Sequence, residues 1–208
     1  MPHVDLHRIT SVDQLRSIIG EPSPLVSHKL WKTLEPAAVD FIQRSPFLLL
    51  ATADGAGNQD VSPKGDGPGF VAIENDTTLL IPDRKGNKLI FGLQNILMNP
   101  QVGLLFLIPG TGETLRVNGA AELTVDPTVL ERLSARGQPA TVAIRVTVRE
   151  CFFHCAKAFI RSQLWQPEAW QPRHQISFGK LLAAKAGGDD QMARQIDQFV
   201  EQDYRTNL

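Results

Sequence analysis

Apolar and polar positions follow three regimes along the chain. Near the start, Leu15, Ile18 and Ile19 recur at helical spacing behind Ser11-Val12-Asp13-Gln14, a capping-box pattern, and Gly20 and Pro22 stop that helix. A second helix is expected from Pro36 to Arg44, with Val39, Phe41 and Ile42 as its apolar positions. From Pro46 the rhythm changes. Phe47 to Thr52 is a continuous apolar run ending at Asp54-Gly55-Ala56-Gly57-Asn58, which reads as a strand and a turn. Short strands then recur at Gln59 to Ser62, Phe70 to Glu74, Thr77 to Ile81, Val102 to Ile108 and Thr114 to Leu123, and Ala140 to Phe153 reads as a long final strand. Asn75-Asp76 suits a tight hairpin turn. Asp126-Pro127 opens a short helix, Lys157 to Leu164 looks helical, and Asp190 to Tyr204 is amphipathic through Met192, Ile196 and Phe199. Closely spaced strands with few helices between them predict a mainly β (α+β) fold, a six-stranded closed antiparallel barrel with flanking N- and C-terminal helices. The expected organisation is a helical lead at 1–45, the barrel at 46–165 and a helical tail at 166–208, in one structural domain.

Composition narrows the function classes. The 208 residues carry a formal net charge of -1, so no general basic field exists to hold nucleic acid. No apolar run approaches the roughly 20 residues of a membrane helix, and the first residues lack the basic and apolar regions of a secretory signal. Only Cys151 and Cys155 occur. These features predict a cytoplasmic protein with reduced thiols, no nucleic-acid partner and no membrane partner. With one His between the two thiols, too few ligands gather for a zinc site, and no metal is expected.

The chemically distinctive stretch is Pro82-Asp83-Arg84-Lys85-Gly86-Asn87-Lys88. It follows the strand Thr77 to Ile81 and precedes a helical pattern through Leu89, Leu93, Ile96 and Leu97. Cations at a helix N-terminus are disfavoured by about 0.3–1 kcal/mol each, so a cluster there points to a bound anion. Free backbone N–H groups and a guanidinium fork suit a phosphate monoester. Arg84, Asn87 and Lys88 are the candidate ligands, and Lys85 is expected to face solvent. A solvated helix start is the plainer alternative. Gly110-Thr111-Gly112-Glu113 lacks the ending of a nucleotide-binding loop and reads as a hairpin connection.

A resemblance rests on Phe47 to Thr52, Val61-Ser62-Pro63-Lys64-Gly65-Asp66, Gly69-Phe70-Val71, Leu80 to Arg84, Gly86-Asn87-Lys88, Asn99 to Phe106 and Leu115-Arg116-Val117-Asn118-Gly119. In order and spacing, over roughly residues 40 to 160, these segments resemble the pyridoxamine 5'-phosphate oxidase-related FMN-binding split barrels. The likeness is to FMN-binding members other than the oxidase itself, because Gln59 stands where the oxidase carries an Arg. The resemblance implies a homodimer with FMN at the subunit interface. It implies cofactor contacts from Ser62, Pro63, Lys64, Pro82, Arg84, Asn87, Lys88 and Arg116. The plainer readings pair Lys64 with Asp66 and Arg116 with Glu113 or Glu122. His154, Lys157 and Arg161, the last two on one helical face, are candidates for an anionic substrate at the flavin edge. Trp165 and Trp170 would cover the ring or close the dimer interface.

The implied function is an FMN-dependent oxidoreductase acting on an unidentified small molecule, with the chemistry carried by the cofactor and no catalytic residue named. Two alternatives stand beside it: an FMN carrier or sensor without turnover, and a barrel that binds another ligand such as haem.

Overall fold

A computed structural model describes residues 7–86 and 88–207. The helical lead holds α1 (Val12–Ile19) and α2 (Pro36–Arg44), joined through a short 3-10 turn at Pro24–Lys29. The strands are β1 (Phe47–Ala53), β2 (Gln59–Gly65), β3 (Ala72–Asn75), β4 (Thr78–Asp83), β5 (Gln101–Leu107), β6 (Thr114–Thr124) and β7 (Val142–His154). Between them lie α3 (Phe91–Met98) and α4 (Pro127–Arg132), and after them α5 (Lys157–Ser162), α6 (Phe178–Ala186) and α7 (Asp190–Thr206). Ser11 accepts from the Gln14 N–H, as the capping pattern required. Asp126 caps α4 through the Thr128 and Val129 N–H groups. No helix among the described residues is long and apolar enough to cross a membrane.

All seven strands pair antiparallel in the order β2-β1-β5-β6-β7-β4-β3. That corrects the expected six-stranded closed barrel: there is one strand more, and β2 and β3 end the sheet without pairing to each other. Two features explain the open seam. Pro63 within β2 has no N–H to donate, and β3 is four residues long. The sheet is nevertheless strongly curled. Laid flat, β2 and β4 would stand about 24 Å apart at ordinary strand spacing. Yet Lys64 of β2 and Asp83 of β4 form an ion pair.

Alternation builds the core inside that curl. Leu48 and Leu50 of β1, Val102, Leu104 and Phe106 of β5, Leu115 and Val117 of β6, and Ile144, Val146 and Val148 of β7 are all buried. Helix α2 closes the core with Ala38, Phe41 and Ile42, and Phe41 meets Phe153 edge-on at 5.4 Å. Trp31 and Cys151 exchange backbone hydrogen bonds at 3.0 and 2.8 Å, which ties the helical lead to β7. Strand β4 is buried on both faces: Leu79 and Ile81 join the main core, while Leu80 packs with Val129, Leu133, Ala140 and Ala143 under α4. A register shift at Asn118/Gly119 is possible only because residue 119 has no side chain; a Cβ there would sit 2.2 Å from the Thr147 carbonyl. Helices α6 and α7 pack chiefly on each other.

Candidate functional site

Four segments converge on one cavity of about 710 Å³: the ends of β2 and β4, the chain entering α3, and the start of β7. Period-two alternation turns Asp60, Ser62 and Lys64 of β2 toward it, and Pro82, Asp83 and Arg84 follow from β4. Lys88 to Leu93 supply the far wall, and Arg136, Thr141 and Val142 the remainder. Five cations, Lys64, Arg84, Lys85, Lys88 and Arg136, face two lining carboxylates, Asp60 and Asp83.

The helix beside these cations has no side-chain cap. Its N-cap is Ile90, and the first-turn residues Phe91, Gly92 and Leu93 line the cavity. An uncapped helix start offers backbone N–H groups and the positive end of the helix dipole. Strand β2 passes close to this turn: a Cβ added at Gly92 would make ordinary contacts, 3.5 Å from Asp60 Oδ2 and 3.7 Å from Ser62 Oγ. The Ser62 hydroxyl oxygen is buried and has no hydrogen-bond partner among the described residues. A buried polar atom left unpaired beside a cationic cavity is ready for a ligand. The helix starts two residues later than the sequence pattern suggested, so Lys88 stands in the loop before it. Its backbone takes φ 61°, an uncommon conformation for a residue with a side chain.

The cations are oriented by carboxylates. Arg84 donates from Nε to Asp66 Oδ2 at 2.7 Å and from Nη2 to the Leu133 carbonyl at 3.0 Å. Lys64 pairs with Asp83, not with its sequence neighbour Asp66. The Asp66 side chain is 8% exposed. Burial pushes its carboxyl upward, but the Gly67 N–H and the Arg84 guanidinium outweigh that and hold it below the usual carboxylate range.

Of the residues singled out in the sequence, Ser62, Pro63, Lys64, Pro82, Arg84 and Lys88 all line this cavity. Lys85 is also among the lining residues and is exposed. Asn87 lies outside the described residues. Arg116 is elsewhere. It stands in a cross-strand row, Pro63, Leu49, Leu105, Arg116, Phe152, on the outer face of the sheet. Its guanidinium lies 5.7 Å from the Phe152 ring centroid, and Glu122 pairs instead with Arg145. An open depression of about 510 Å³ adjoins this face, lined by Ala51, Gly103, Asn118 and Glu150 among others. Asn118 donates to Glu150 at 2.7 Å there.

His154, Lys157 and Arg161 are exposed at the far end of β7. Val142 at the cavity and His154 are separated by roughly 40 Å of strand, so the two groups cannot serve one ligand from the same chain. Trp165 donates to the Thr111 carbonyl at 2.8 Å and stacks on Phe159, and Trp170 donates to the Leu164 carbonyl. Cys151 is buried, and burial, with Glu35 nearby, pushes its thiol up to about 12; Cys155 is exposed. Sequence reasoning missed Asp60, Gly92, Arg136 and Thr141. Gly92 carried no local signal, because its place in the lining depends on β2 passing beneath the helix.

The family model described as pyridoxamine 5'-phosphate oxidase matches residues 34–155. No curated protein matches the sequence. Among solved structures, HupZ of Group A Streptococcus is 18% identical, with a TM-score of 0.45 over 55% of this chain and 88% of its own. General Stress Protein 26 of Bacillus anthracis is 17% identical, with a TM-score of 0.41 over 55% and 88%. HutZ of Vibrio cholerae, a haem storage protein, is 18% identical, with a TM-score of 0.41 over 59% and 94%. Likeness at this level transfers no ligand.

Proposed function

Because the chain belongs to the pyridoxamine 5'-phosphate oxidase family, whose model spans residues 34–155, we propose that it is an FMN-binding flavoprotein and an oxidoreductase. The observation that carries this reading is the cationic cavity at the uncapped start of α3, with the unpartnered Ser62 hydroxyl inside it. A phosphate monoester matches all three of its features. Arg84 and Lys88 offer charge-assisted donors, the helix start offers backbone N–H groups, and Ser62 offers a hydroxyl that can donate or accept. Pre-set ion pairs keep Arg84 and Lys64 in place before a ligand arrives. In this reading the curled sheet is the split barrel of the family.

FMN, when bound, supplies hydride and electron transfer. The chain's part is to hold the phosphate in the cavity and let the ring run over β2 at Pro63. A second copy completes the site. The outer-face row through Leu49, Leu105, Arg116 and Phe152 is apolar at three positions and carries one cation, a composition suited to a homodimer interface. His154, Lys157 and Arg161 of the other copy then reach the ring edge and a small anionic substrate.

The purified protein tests this directly. It is expected to be yellow and to release FMN on denaturation, identified by mass and fluorescence. Arg84→Ala with Lys88→Ala should give a folded, colourless protein. Release of haem, or stoichiometric FMN retained by the double variant, would overturn the assignment.

A further inference from the structure

Arg136 occupies a backbone position that suits an arginine poorly. Ala135 and Gln138 exchange both of their backbone hydrogen bonds at 3.0 Å, closing a two-residue turn over Arg136 and Gly137. Both turn residues have positive φ, 52° and 75°. Such mirror-image turns favour Asn-Gly or Asp-Gly, whose first residue tolerates the left-handed region. A long side chain at that place strains the turn, and persistent strain at a cavity wall points to a use for the side chain.

The Arg136 side chain lines the cavity. Its Nη1 lies 3.5 Å from Asp66 Oδ1, while Asp66 Oδ2 accepts from Arg84 Nε at 2.7 Å. Two guanidinium groups therefore share one carboxylate, and the trio keeps one net positive charge. Arg84 also donates to the Leu133 carbonyl, in the same α4–β7 connection that carries Arg136. The connection, the end of β2 and the end of β4 are thereby locked together at one side of the cavity. The Arg136–Asp66 pair itself adds little to folding, since the Arg136 side chain is 54% exposed.

We propose that Arg136 is a further phosphate-binding residue of this cavity, and that Asp66 is a positioning residue that presents Arg84 and Arg136 as a two-guanidinium fork. The inference rests on reading the cavity as the site of a phosphorylated flavin. Its consequence is selectivity: the fork favours FMN over riboflavin, which has the same ring and no phosphate.

Fluorescence titration of ligand-free protein with FMN and with riboflavin tests it. Arg136→Asn removes the charge and relaxes the turn. It is expected to keep or raise Tm, weaken FMN binding about tenfold and leave riboflavin binding within about twofold. Arg136→Lys should recover part of the FMN affinity, because the charge returns without the fork. Asp66→Asn should lower the FMN-to-riboflavin ratio in the same direction. Unchanged FMN affinity in Arg136→Asn, with FMN lost in the Arg84→Ala, Lys88→Ala double variant, overturns the role of Arg136 and leaves the cavity reading standing. A fall in Tm with parallel loss of both ligands also overturns it. Equal affinity of the native protein for FMN and riboflavin overturns both readings.

Discussion

Lys64 at the end of β2 and Asp83 at the end of β4 form an ion pair across the curl of the sheet, with side chains 20% and 18% exposed. A side-chain pair, not a backbone ladder bond, links the β2 margin to β4, the strand beside the other margin. A partly buried pair is costly to break from one side, because the remaining charge keeps its desolvation without its partner. Asp83→Ala is therefore expected to cost about 1–2 kcal/mol in urea unfolding, less than for a fully buried pair because solvent screens it. Adding Lys64→Ala to that variant should restore part of the loss, which a double-mutant cycle reads directly.

Ser62 separates stability from binding. Its hydroxyl oxygen is buried and has no partner among the described residues, so the free protein bears a desolvation cost with no hydrogen bond in return. Ser62→Ala should leave stability unchanged or raise it by up to about 1 kcal/mol. FMN affinity should fall about tenfold in the same variant. A loss of stability without a loss of affinity would place the hydroxyl in the fold and not in the site.

The α6–α7 hairpin should be acid-sensitive. The Asp197 carboxyl is held below its ordinary value of 3.8 by hydrogen bonds from the Ser177 hydroxyl and the Gly179 N–H. A carboxylate with a depressed folded value stabilises fully above its unfolded value and loses that contribution as pH falls through the folded one. Helicity of the hairpin is thus expected to hold above about pH 4 and fade below it, and Asp197→Asn should flatten that dependence. Gly179→Ala should disrupt the hairpin at every pH, because its Cβ would lie 1.9 Å from the Ala193 carbonyl. Circular dichroism against pH checks both.

The two thiols should react differently. Cys151 is buried, and its thiol, pushed up to about 12, is not the reactive thiolate at neutral pH, while Cys155 is exposed. A thiol reagent at about pH 8 is expected to modify Cys155 alone in the native protein and both thiols in denaturant. Native modification of Cys151, located by peptide mass, would contradict the packing of β7.

Local signals carried far along this chain. The bounds of α2 follow from Pro36 and its apolar stripe, and the strands follow from period-two runs bounded by Gly, Asn and Asp. The basic stretch after β4 led to the cavity because a strand end, cations and a helix start adjoin in sequence. Helix α6 is not legible in the sequence although Ser177 caps it and Gly187 ends it, because Phe178 to Ala186 shows no sharp polar face. The ion pairs were illegible for a topological reason. In sequence, the nearest carboxylate to Lys64 on that side is Asp66, two residues on. The curl of the sheet instead brings Asp83 to Lys64 and Asp66 to Arg84, across 19 and 18 residues of sequence.

Separation along β7 yields the sharpest test of a shared site. Val142 lines the cavity and His154 ends the same strand, roughly 40 Å along it, with Lys157 and Arg161 just beyond. If these cations contact FMN, they do so from the other copy of a two-fold dimer. The Arg84→Ala, Lys88→Ala variant and a Lys157→Ala, Arg161→Ala variant should then each bind FMN poorly alone. Random re-association after mixing makes half of the dimers mixed. Each mixed dimer assembles one intact site and one doubly damaged site, so about a quarter of the native FMN capacity should return. Equilibrium dialysis of the mixed sample measures it. No recovery on mixing, with each variant confirmed dimeric by light scattering, would remove His154, Lys157 and Arg161 from the site and leave the phosphate cavity as the contribution of a single chain.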